Sequence, residues 1–296
     1  MANLNPVVLP RYSERTGSFR LSLNRYLVGA SIVSEPLRSR LRNRALARAT
    51  SLQHDETLDG TTPLLVLMVY RARNVRLVKA LLSQFDSTAD IRLWALDEIV
   101  PELASKTLGC GLGVRFSHIN WLYNVEPVKE GSWLVIADDD FFFSKGNITS
   151  TITMMKRAGF SLAQPSQSMM GWWSDLFHVS RPLVQARDTN CVEQGPLFIA
   201  DSEFLKIILP LPESNDMGWG IEAEWYQLNE GRLRIGIIDG CRVVHCGKVA
   251  NSYAVGPALE TMRKRVLDSG IESFWQLRSV NKYWFTWQRT PPWATD

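Results

Sequence analysis

The sequence predicts an α/β sandwich in which helices cover both faces of a mostly parallel central sheet. Short apolar runs suited to buried strands alternate with segments of helical spacing through the middle of the chain. The first two runs, residues 64–70 and 91–96, flank a helical segment, which is the pattern of a βαβ unit with parallel strands. A hydrophobic content of 45% in 296 residues is sufficient for a sizeable buried core.

The later elements continue this alternation. A glycine-bearing loop at residues 109–113 precedes a predicted helix at residues 117–124, and a third strand at residues 133–137 runs directly into three aspartates. Further strands are expected at residues 161–164, 196–200 and 234–244. Further helices are expected at residues 148–158, 202–208, 221–229 and 259–267.

Composition divides the chain into three parts. Residues 1–60 form a basic amino-terminal arm with one or two helices, and the first 50 residues carry a net charge of +7 against −4 for the remainder. Residues 61–256 form the α/β domain, and residues 257–296 form a helical and aromatic extension. We expect this tryptophan-rich extension to help form an acceptor site; the alternative is that its rings pack against the core. For the arm we expect self-association or contact with anionic lipid.

Overall charge and cysteine content exclude several classes of protein. A net charge of +3 is small for this length and argues against nucleic-acid binding. Four cysteines without a Cys-x-x-Cys pair do not make a disulfide framework and suit a reducing compartment. The sequence shows no signal-peptide pattern and no apolar run long enough for a membrane helix. We therefore expect a cytoplasmic protein, at most peripheral to a membrane.

The three consecutive aspartates, Asp138, Asp139 and Asp140, are the strongest chemical signal. Adjacent like charges destabilise a fold unless a cation or hydrogen-bond donors compensate them, and the carboxyl end of a strand is where ligands bind in open α/β sheets. Carboxylates two residues apart can hold one Mg²⁺ or Mn²⁺ ion, which leaves coordination positions for water and phosphate oxygens. A solvated acidic loop or a helix cap is the alternative interpretation.

Two acids and a histidine form further candidates. Glu222 and Glu224 follow a glycine-flanked turn and open a helix, where a carboxylate can accept a proton from a hydroxyl group or simply offset the helix dipole. His245 ends a predicted strand, and such a residue is more often a hydrogen-bonded histidine than a ligand. The neighbouring Cys241 and Cys246 are a weak indication of zinc, because the remaining cysteines lie far away in the sequence.

Polar residues after the first strand and the glycine loop are candidates for contacting a nucleotide. Cationic and amide side chains suit phosphate and base atoms, but each of these residues is equally consistent with an ordinary surface position. The candidates are Arg71, Arg73, Asn74, Arg115 and Asn120.

The order of these pieces, over residues 63–250, resembles a GT-A type glycosyltransferase, whose Asp-x-Asp motif binds a metal ion and the diphosphate of a nucleotide sugar. The resemblance implies a GT-A-like, Rossmann-like α/β/α sandwich. It also implies that Asp138 and Asp140 hold Mn²⁺ or Mg²⁺, with His245 as a third ligand. The donor is then a nucleotide sugar, a UDP-sugar by default, and the acceptor is a glycan or glycolipid.

The same resemblance implies roles for other residues. Asp97 becomes a nucleotide contact, Asp139 a sugar or ribose contact, and Glu222 the base of an inverting displacement. A retaining mechanism remains an alternative. Other candidates for the base are Glu224, Glu193 and Asp216.

Residues 133–246 are also similar to a plant and bacterial family of unknown function, labelled lysine-ketoglutarate reductase trans-splicing related. Glu222 stands where that family has an aspartate. The glutamate keeps the carboxylate and places it on a longer side chain. The matching positions are Asp138-Asp139-Asp140, Gln164-Pro165, Val192-Glu193 ahead of Pro196, Trp219-Gly220-Ile221-Glu222, and Ile238-Asp239 leading to His245.

Two other functions are consistent with parts of the sequence. A metal-dependent nucleotidyl or phosphoryl transferase would also use strand-end aspartates, but no Gly-x-x-x-x-Gly-Lys-Ser/Thr phosphate loop occurs. A non-catalytic module that binds carbohydrate or a membrane surface would account for the aromatic extension and the basic arm. Metal-dependent hydrolysis of a nucleotide sugar would distinguish an enzyme from such a module.

Overall fold

The structure is a computed structural model that describes residues 35–49, 62–213, 218–247, 255–271 and 274–285. Short 3-10 helices lie at Ala72–Asn74, Pro101–Lys106 and Leu176–His178. The helices and strands, in chain order, are α1 (Glu35–Ala49), β1 (Leu64–Tyr70), α2 (Val75–Leu82), β2 (Asp90–Ala95), β3 (Thr107–Cys110), α3 (Arg115–Asn124), β4 (Trp133–Ala137), β5 (Phe141–Lys145), α4 (Ile148–Ala158), β6 (Leu162–Gln167), β7 (Val184–Thr189), β8 (Leu197–Ala200), α5 (Ser202–Ile208), α6 (Ile221–Asn229), β9 (Ile235–His245), α7 (Val255–Asp268), α8 (Phe274–Leu277) and β10 (Val280–Phe285).

All ten of these strands belong to one mixed sheet. The order is β10-β7-β9-β6-β8-β4-β1-β2-β3, and β5 pairs with β9 outside this path. The pairs from β3 through β2 and β1 to β4 are parallel, as is β6 with β9, whereas β8, β7, β5 and β10 pair in antiparallel fashion. The predicted α/β sandwich is confirmed.

Helices pack on both faces of this sheet, and β1 shows why its sequence is apolar throughout. Leu64 and Val66 belong to a buried cluster that includes side chains of α2 and α4. Leu65 and Leu67 point to the opposite face and pack with α3, α5 and α6. Because both faces are covered, no position in β1 is left for a polar side chain.

The described part of the predicted carboxyl-terminal extension is not a separate appendage. β10, which the sequence did not predict, pairs with β7 and completes one edge of the sheet. Trp284 on β10 is only 1% exposed and makes an edge contact with Phe160, with ring centroids 5.4 Å apart. Hydrophobic packing therefore explains this aromatic residue, and β10 shares one sheet with the strands of the predicted α/β domain. Trp287 and Trp293 lie outside the described residues.

The described part of the amino-terminal arm is α1, which packs against β5. The remaining residues of the arm lie outside the described residues. The predicted role of the arm in self-association or lipid contact therefore stays a prediction. Within the described ranges, no helix is long and apolar enough to cross a membrane.

One edge of the sheet gathers the ends of several strands. β1, β2, β4, β6 and β9 end there, and β8 begins there, because their mutual pairings fix their directions. The order of the strands reverses at β1, since β2 and β3 lie on one side of it and β4 on the other. Such a switch point leaves a crevice outside the strand ends, where α/β proteins bind ligands.

Replacing Trp284 with alanine should destabilise the whole domain by about 3–5 kcal/mol, because it leaves a cavity in the core. Asn281→Ala on the same strand is the control, since Asn281 is exposed and hydrogen-bonds only Asp188 and Asn190 in the described contacts; its cost should be about 1 kcal/mol or less. Urea unfolding measures both variants. Equal stability of the two variants would show that β10 is not part of the core.

Candidate metal centre and its surroundings

The three aspartates lie in the turn between β4 and β5. The N–H of Asp138 donates to the carbonyl of Pro196 (2.8 Å), which continues the ladder of β4 and β8 by one residue. The chain then turns back into β5, which pairs with the end of β9 so that Phe141 lies opposite His245. This register brings His245 Nε2 to 2.9 Å from Asp140 Oδ1.

Asp138, Asp140 and His245 form a cluster that could hold a metal ion. One potential ligand atom from each residue lies within 4.8 Å of the other two. Two carboxylates and one imidazole suit Mn²⁺, and a Mg²⁺ ion would also accept the carboxylates. A Cβ atom at Gly247 would lie 1.9 Å from Asp140 Oδ2, so glycine lets the chain after β9 approach this carboxylate closely. Among the described residues, this is the only such cluster of three or more side chains.

Cationic side chains already contact both carboxylates. Arg115 Nη2 forms an ion pair with Asp138 Oδ1 (2.7 Å); burial raises the pKa of Asp138, and the Arg115 guanidinium opposes that rise. Burial disfavours ionisation of Asp140 too, but the charge of His245 prevails and lowers the pKa of this carboxyl group. Burial alone would lower the pKa of His245, yet the Asp140 carboxylate raises it to about 9. The arrangement therefore stabilises positive charge between the carboxylates.

Asp139 has a different place from its two neighbours. Its Oδ2 accepts a hydrogen bond from the main-chain N–H of Arg71 (2.6 Å), at the end of β1. Burial raises the pKa of Asp139 to about 6, against the effect of this hydrogen bond and of one from the Asn74 side chain. Asp139 thus fastens the loop after β1 to the loop after β4, and its role as a sugar or ribose contact stays a prediction.

Asp97 lies on the other side of the loop after β1. Its Oδ1 accepts hydrogen bonds from the main-chain N–H groups of Ala72 (2.9 Å) and Glu98 (3.0 Å). The loop that carries Arg71, Arg73 and Asn74 is therefore held between Asp139 and Asp97, with Arg73 exposed. The structure brings these predicted nucleotide contacts together beside the aspartates.

Asn120 does not share this environment. Its amide donates to the carbonyl of Leu211 (2.8 Å) and to Glu213 Oε1 (2.9 Å), and its oxygen accepts the N–H of Leu211 (2.9 Å). The side chain is buried and holds the loop after α5, and its role as a nucleotide contact stays a prediction. Arg115, at the first residue of α3, reaches Asp138 instead.

Glu222 is the second residue of α6 and is 8% exposed. Its Oε1 accepts the N–H of Gln194 at 3.3 Å, and the Gln194 side chain in turn accepts a hydrogen bond from Arg115 (2.6 Å). Burial raises the pKa of Glu222 to about 7, and the nearby charge of Glu193 acts in the same direction. A chain of polar contacts therefore runs from Asp138 through Arg115 and Gln194 to Glu222.

Glu224 points elsewhere, although it is only two residues from Glu222. Its carboxylate forms an ion pair with Arg265 Nε on α7 at 2.8 Å. This contact ties α6 to α7 and is consistent with a structural role.

The residues that sequence reasoning underestimated are Gln194 and Glu193. The Glu193 carboxylate is held by the Ser174 hydroxyl, by Gln167 Nε2 (2.7 Å) and by His178 Nδ1 (3.3 Å). Burial raises the pKa of Glu193, and the Ser174 and Gln167 hydrogen bonds oppose that rise. From the sequence, Glu193 is only an alternative candidate for the base and one position of a family pattern. The signal in the sequence for both residues is a polar segment directly ahead of the strand predicted at residues 196–200.

The buried Cys191 and His178 do not form a nucleophilic pair. Cys191 Sγ lies 3.9 Å from His178 Nε2, a spacing that resembles a thiol and its base. Burial, however, raises the pKa of the Cys191 thiol and lowers the pKa of the His178 imidazole, so both are neutral. Zinc binding by Cys241 and Cys246 is likewise not supported, because neither belongs to the candidate cluster of Asp138, Asp140 and His245 in the described part of the chain.

Three solved structures are similar to this chain at low sequence identity. GalNAc-T7 with UDP, GalNAc and Mn²⁺ has 11% identity and a TM-score of 0.47 over 70% of this chain and 48% of that chain. S. aureus TarS 1-349 in complex with UDP-GlcNAc has 14% identity and a TM-score of 0.48 over 72% of this chain and 66% of that chain. The mannosyltransferase PcManGT from Pyrobaculum calidifontis, in complex with GDP-Man and Mn²⁺, has 9% identity and a TM-score of 0.44 over 85% of this chain and 83% of that chain.

These similarities are too low to transfer an activity to this chain. The chain also spans only about half the length of the GalNAc-T7 structure and 66% of the TarS structure. No protein-family model matches the sequence, and no curated protein matches it significantly. The narrower family resemblance therefore stays a prediction.

Glu222→Gln should stabilise the protein at pH 8 by about 1–3 kcal/mol, because it removes a carboxylate that is ionised while buried. The folded-state pKa of about 7 lies above the ordinary value of 4.5, so the folded protein binds more protons between these values and the wild type loses stability as pH rises through this window. The gain should shrink towards pH 5.

Chemical denaturation at pH 5 and pH 8 measures this difference. Glu224→Gln is the matched control and should show no gain, because it loses an ion pair with Arg265. A Glu222→Gln variant that is no more stable than the wild type at pH 8 would contradict the burial of an ionised Glu222.

Proposed function

We propose that this chain is a metal-dependent glycosyltransferase. It transfers a hexose or pentose from a nucleotide-diphosphate donor, with a UDP-sugar as the first donor to test, to a hydroxyl group of a glycan or glycolipid. Such a reaction belongs to polysaccharide or glycoconjugate synthesis and requires no nucleic acid.

The observation that carries this proposal is the Asp138, Asp140 and His245 cluster at the switch point of the sheet. These residues would hold Mn²⁺ or Mg²⁺, and the fit rests on the chemistry of two carboxylates and an imidazole at mutual distances that suit one ion. When bound, a divalent cation neutralises the charge that develops on a departing diphosphate. The neighbouring Arg115 is placed to add a second positive charge on the same side.

The loop after β1 is the proposed place for the nucleoside. Asp139 and Asp97 fix its main chain from both sides, so its side chains project from a rigid support. Arg71, Arg73 and Asn74 would then face the nucleotide, with the carboxylate of Asp97 at the end of β2 available to a base or ribose group. Rigid placement of this kind lowers the entropy lost on binding.

Glu222 is the proposed base of an inverting displacement. The bond between the anomeric carbon and the diphosphate oxygen breaks, the acceptor oxygen bonds to the anomeric carbon, and the acceptor proton passes to the Glu222 carboxylate. A pKa of about 7 suits this task, because a base works best when its pKa lies near the working pH. Its connection to Asp138 through Gln194 and Arg115 supports a common site for both groups.

The basic arm adds two interactions to the proposal. Contact with a membrane surface and assembly with a second copy are proposed only for the arm, because its exposed arginines suit anionic lipid or an acidic surface. Both would affect access to a glycolipid acceptor rather than the transfer chemistry.

Asp138→Asn and Asp140→Asn should each weaken Mn²⁺ binding by more than tenfold, since even changes outside the ligand shell cost about 10–100-fold in affinity. Asp139→Asn is the matched control, because it removes the same charge from the same turn without removing a ligand. Calorimetric titration of the protein with MnCl₂, alone and with UDP, measures the affinities. Unchanged affinity in both ligand variants would disprove the metal assignment.

Glu222→Gln should bind Mn²⁺ and UDP normally but reduce turnover by about 10²–10⁴-fold, because an amide cannot accept the acceptor proton. Glu224→Gln should stay close to the wild type. Sugar transfer, or slow hydrolysis of the donor, gives the rates. If only Glu224→Gln lowered turnover, the base would be assigned to the wrong residue of α6.

A further inference from the structure

We propose that helix α1 positions the metal centre: Arg38 and Arg42 hold the loop formed by residues 168–172, and this loop fixes the main chain of His245. The inference rests on the proposed metal site. It gives the basic arm a role inside the domain that differs from lipid contact or self-association.

The loop contacts the end of β9 directly. The N–H of Trp172 donates to the carbonyl of His245 (2.9 Å), and the N–H of Ser168 donates to the carbonyl of Val243 (2.8 Å). A Cβ atom on Gly171 would lie 2.7 Å from His245 N and 2.9 Å from His245 O. These are main-chain atoms that cannot move aside easily, so the loop is in direct contact with the main chain of His245 and leaves no room for a side chain at Gly171.

Helix α1 holds the other side of the same loop. Arg42 Nη1 donates to the carbonyl of Met170 (3.0 Å), and Arg38 Nη2 donates to the carbonyl of Gly171. The Arg38 guanidinium also lies over the ring of Trp172, 5.6 Å from its centroid. Gly171 is therefore enclosed between α1 and the main chain of His245.

The two arginines share one face of α1, because residues four apart lie above each other on a helix. Arg38 and Arg42 are 7% and 9% exposed, whereas Arg40 and Arg44 on the same helix are exposed. Burying a guanidinium is costly unless it is hydrogen-bonded, and here one Nη atom of each arginine donates to a loop carbonyl. Among Arg38, Arg40, Arg42 and Arg44, the burial thus identifies Arg38 and Arg42 as the two that serve the domain.

His245 needs such support because it is the last residue of β9. Its carbonyl is held by Trp172, and on the other side it lies opposite Phe141 of β5. If the loop moves away, the imidazole loses the fixed main chain that aims it at Asp140. A metal ligand held less rigidly gives weaker binding, because ordering it then costs conformational entropy.

The charges of Arg38 and Arg42 and their contacts with the loop predict opposite effects on metal affinity when the arginines are replaced. Two cations near a metal site repel the metal ion, so removing their charge should tighten binding if only the electric field matters. If Arg38 and Arg42 act by holding the loop, the same substitutions should weaken binding. A purely structural helix would lower thermal stability and leave the affinity unchanged.

The first experiment measures Mn²⁺ affinity of the full chain by calorimetry. We expect Arg38→Ala and Arg42→Ala each to weaken binding by about tenfold, within the range known for residues outside the ligand shell. Arg42→Lys keeps one donor and should recover part of the loss, and the matched controls Arg40→Ala and Arg44→Ala should behave as the wild type. Unchanged or tighter binding in Arg38→Ala and Arg42→Ala would overturn the inference.

The second experiment measures hydrogen exchange of the Trp172 N–H without added metal. Exchange should be faster in Arg38→Ala and Arg42→Ala, and also in Gly171→Ala, which pushes the loop from the opposite side. Unchanged exchange, with Mn²⁺ binding intact in the wild type, would also overturn the inference. A wild type that binds no Mn²⁺ would instead overturn the proposed function, so the two failures are distinguishable.

Discussion

The pairing of β5 with the end of β9 is the constraint on which the site depends. β4 delivers three aspartates to the edge of the sheet, where their mutual repulsion would be unfavourable without compensation. The chain turns back at once into β5, which pairs with β9 so that Phe141 lies opposite His245. This pairing brings the His245 imidazole to 2.9 Å from Asp140 Oδ1. A single register thus joins potential metal ligands that are 105 residues apart in the sequence. The loop that carries Gly171 and the helix α1 then support this register from outside.

The buried acids differ in protonation because their neighbours differ. Asp138 and Asp140 each face a cation, Arg115 or His245, and this charge opposes the effect of burial. The Glu222 carboxylate accepts main-chain hydrogen bonds and is influenced by the charge of Arg265, but burial, together with the nearby Glu193, prevails and raises its pKa to about 7. Environments that separate the pKa values of neighbouring acids are a common means of assigning them different chemical roles. Here the separation supports a metal-binding pair and a proton acceptor within one connected site.

Sequence reasoning succeeded where a local pattern determines the outcome. Asp138 and Asp140 follow an apolar strand, and their position at the ligand-binding edge follows from parallel pairing alone. It does not reach the contacts that a distant partner decides. Asn120 holds Leu211, 91 residues away, and no pattern around Asn120 indicates this. The strand β10 contains exposed polar residues beside the buried Trp284, so only its pairing with β7 identifies it. Composition likewise revealed a basic arm but not which arginines are buried.

In the proposed function, Asp138, Asp140 and His245 bind one divalent ion together. Crystals grown with Mn²⁺ and examined by anomalous diffraction at the manganese edge test it most directly. We expect one strong anomalous peak within coordination distance, about 2 Å, of a carboxylate oxygen of each aspartate and of His245 Nε2. A peak at other residues, or an ordered Asp138, Asp140 and His245 cluster without any peak at saturating Mn²⁺, would contradict it.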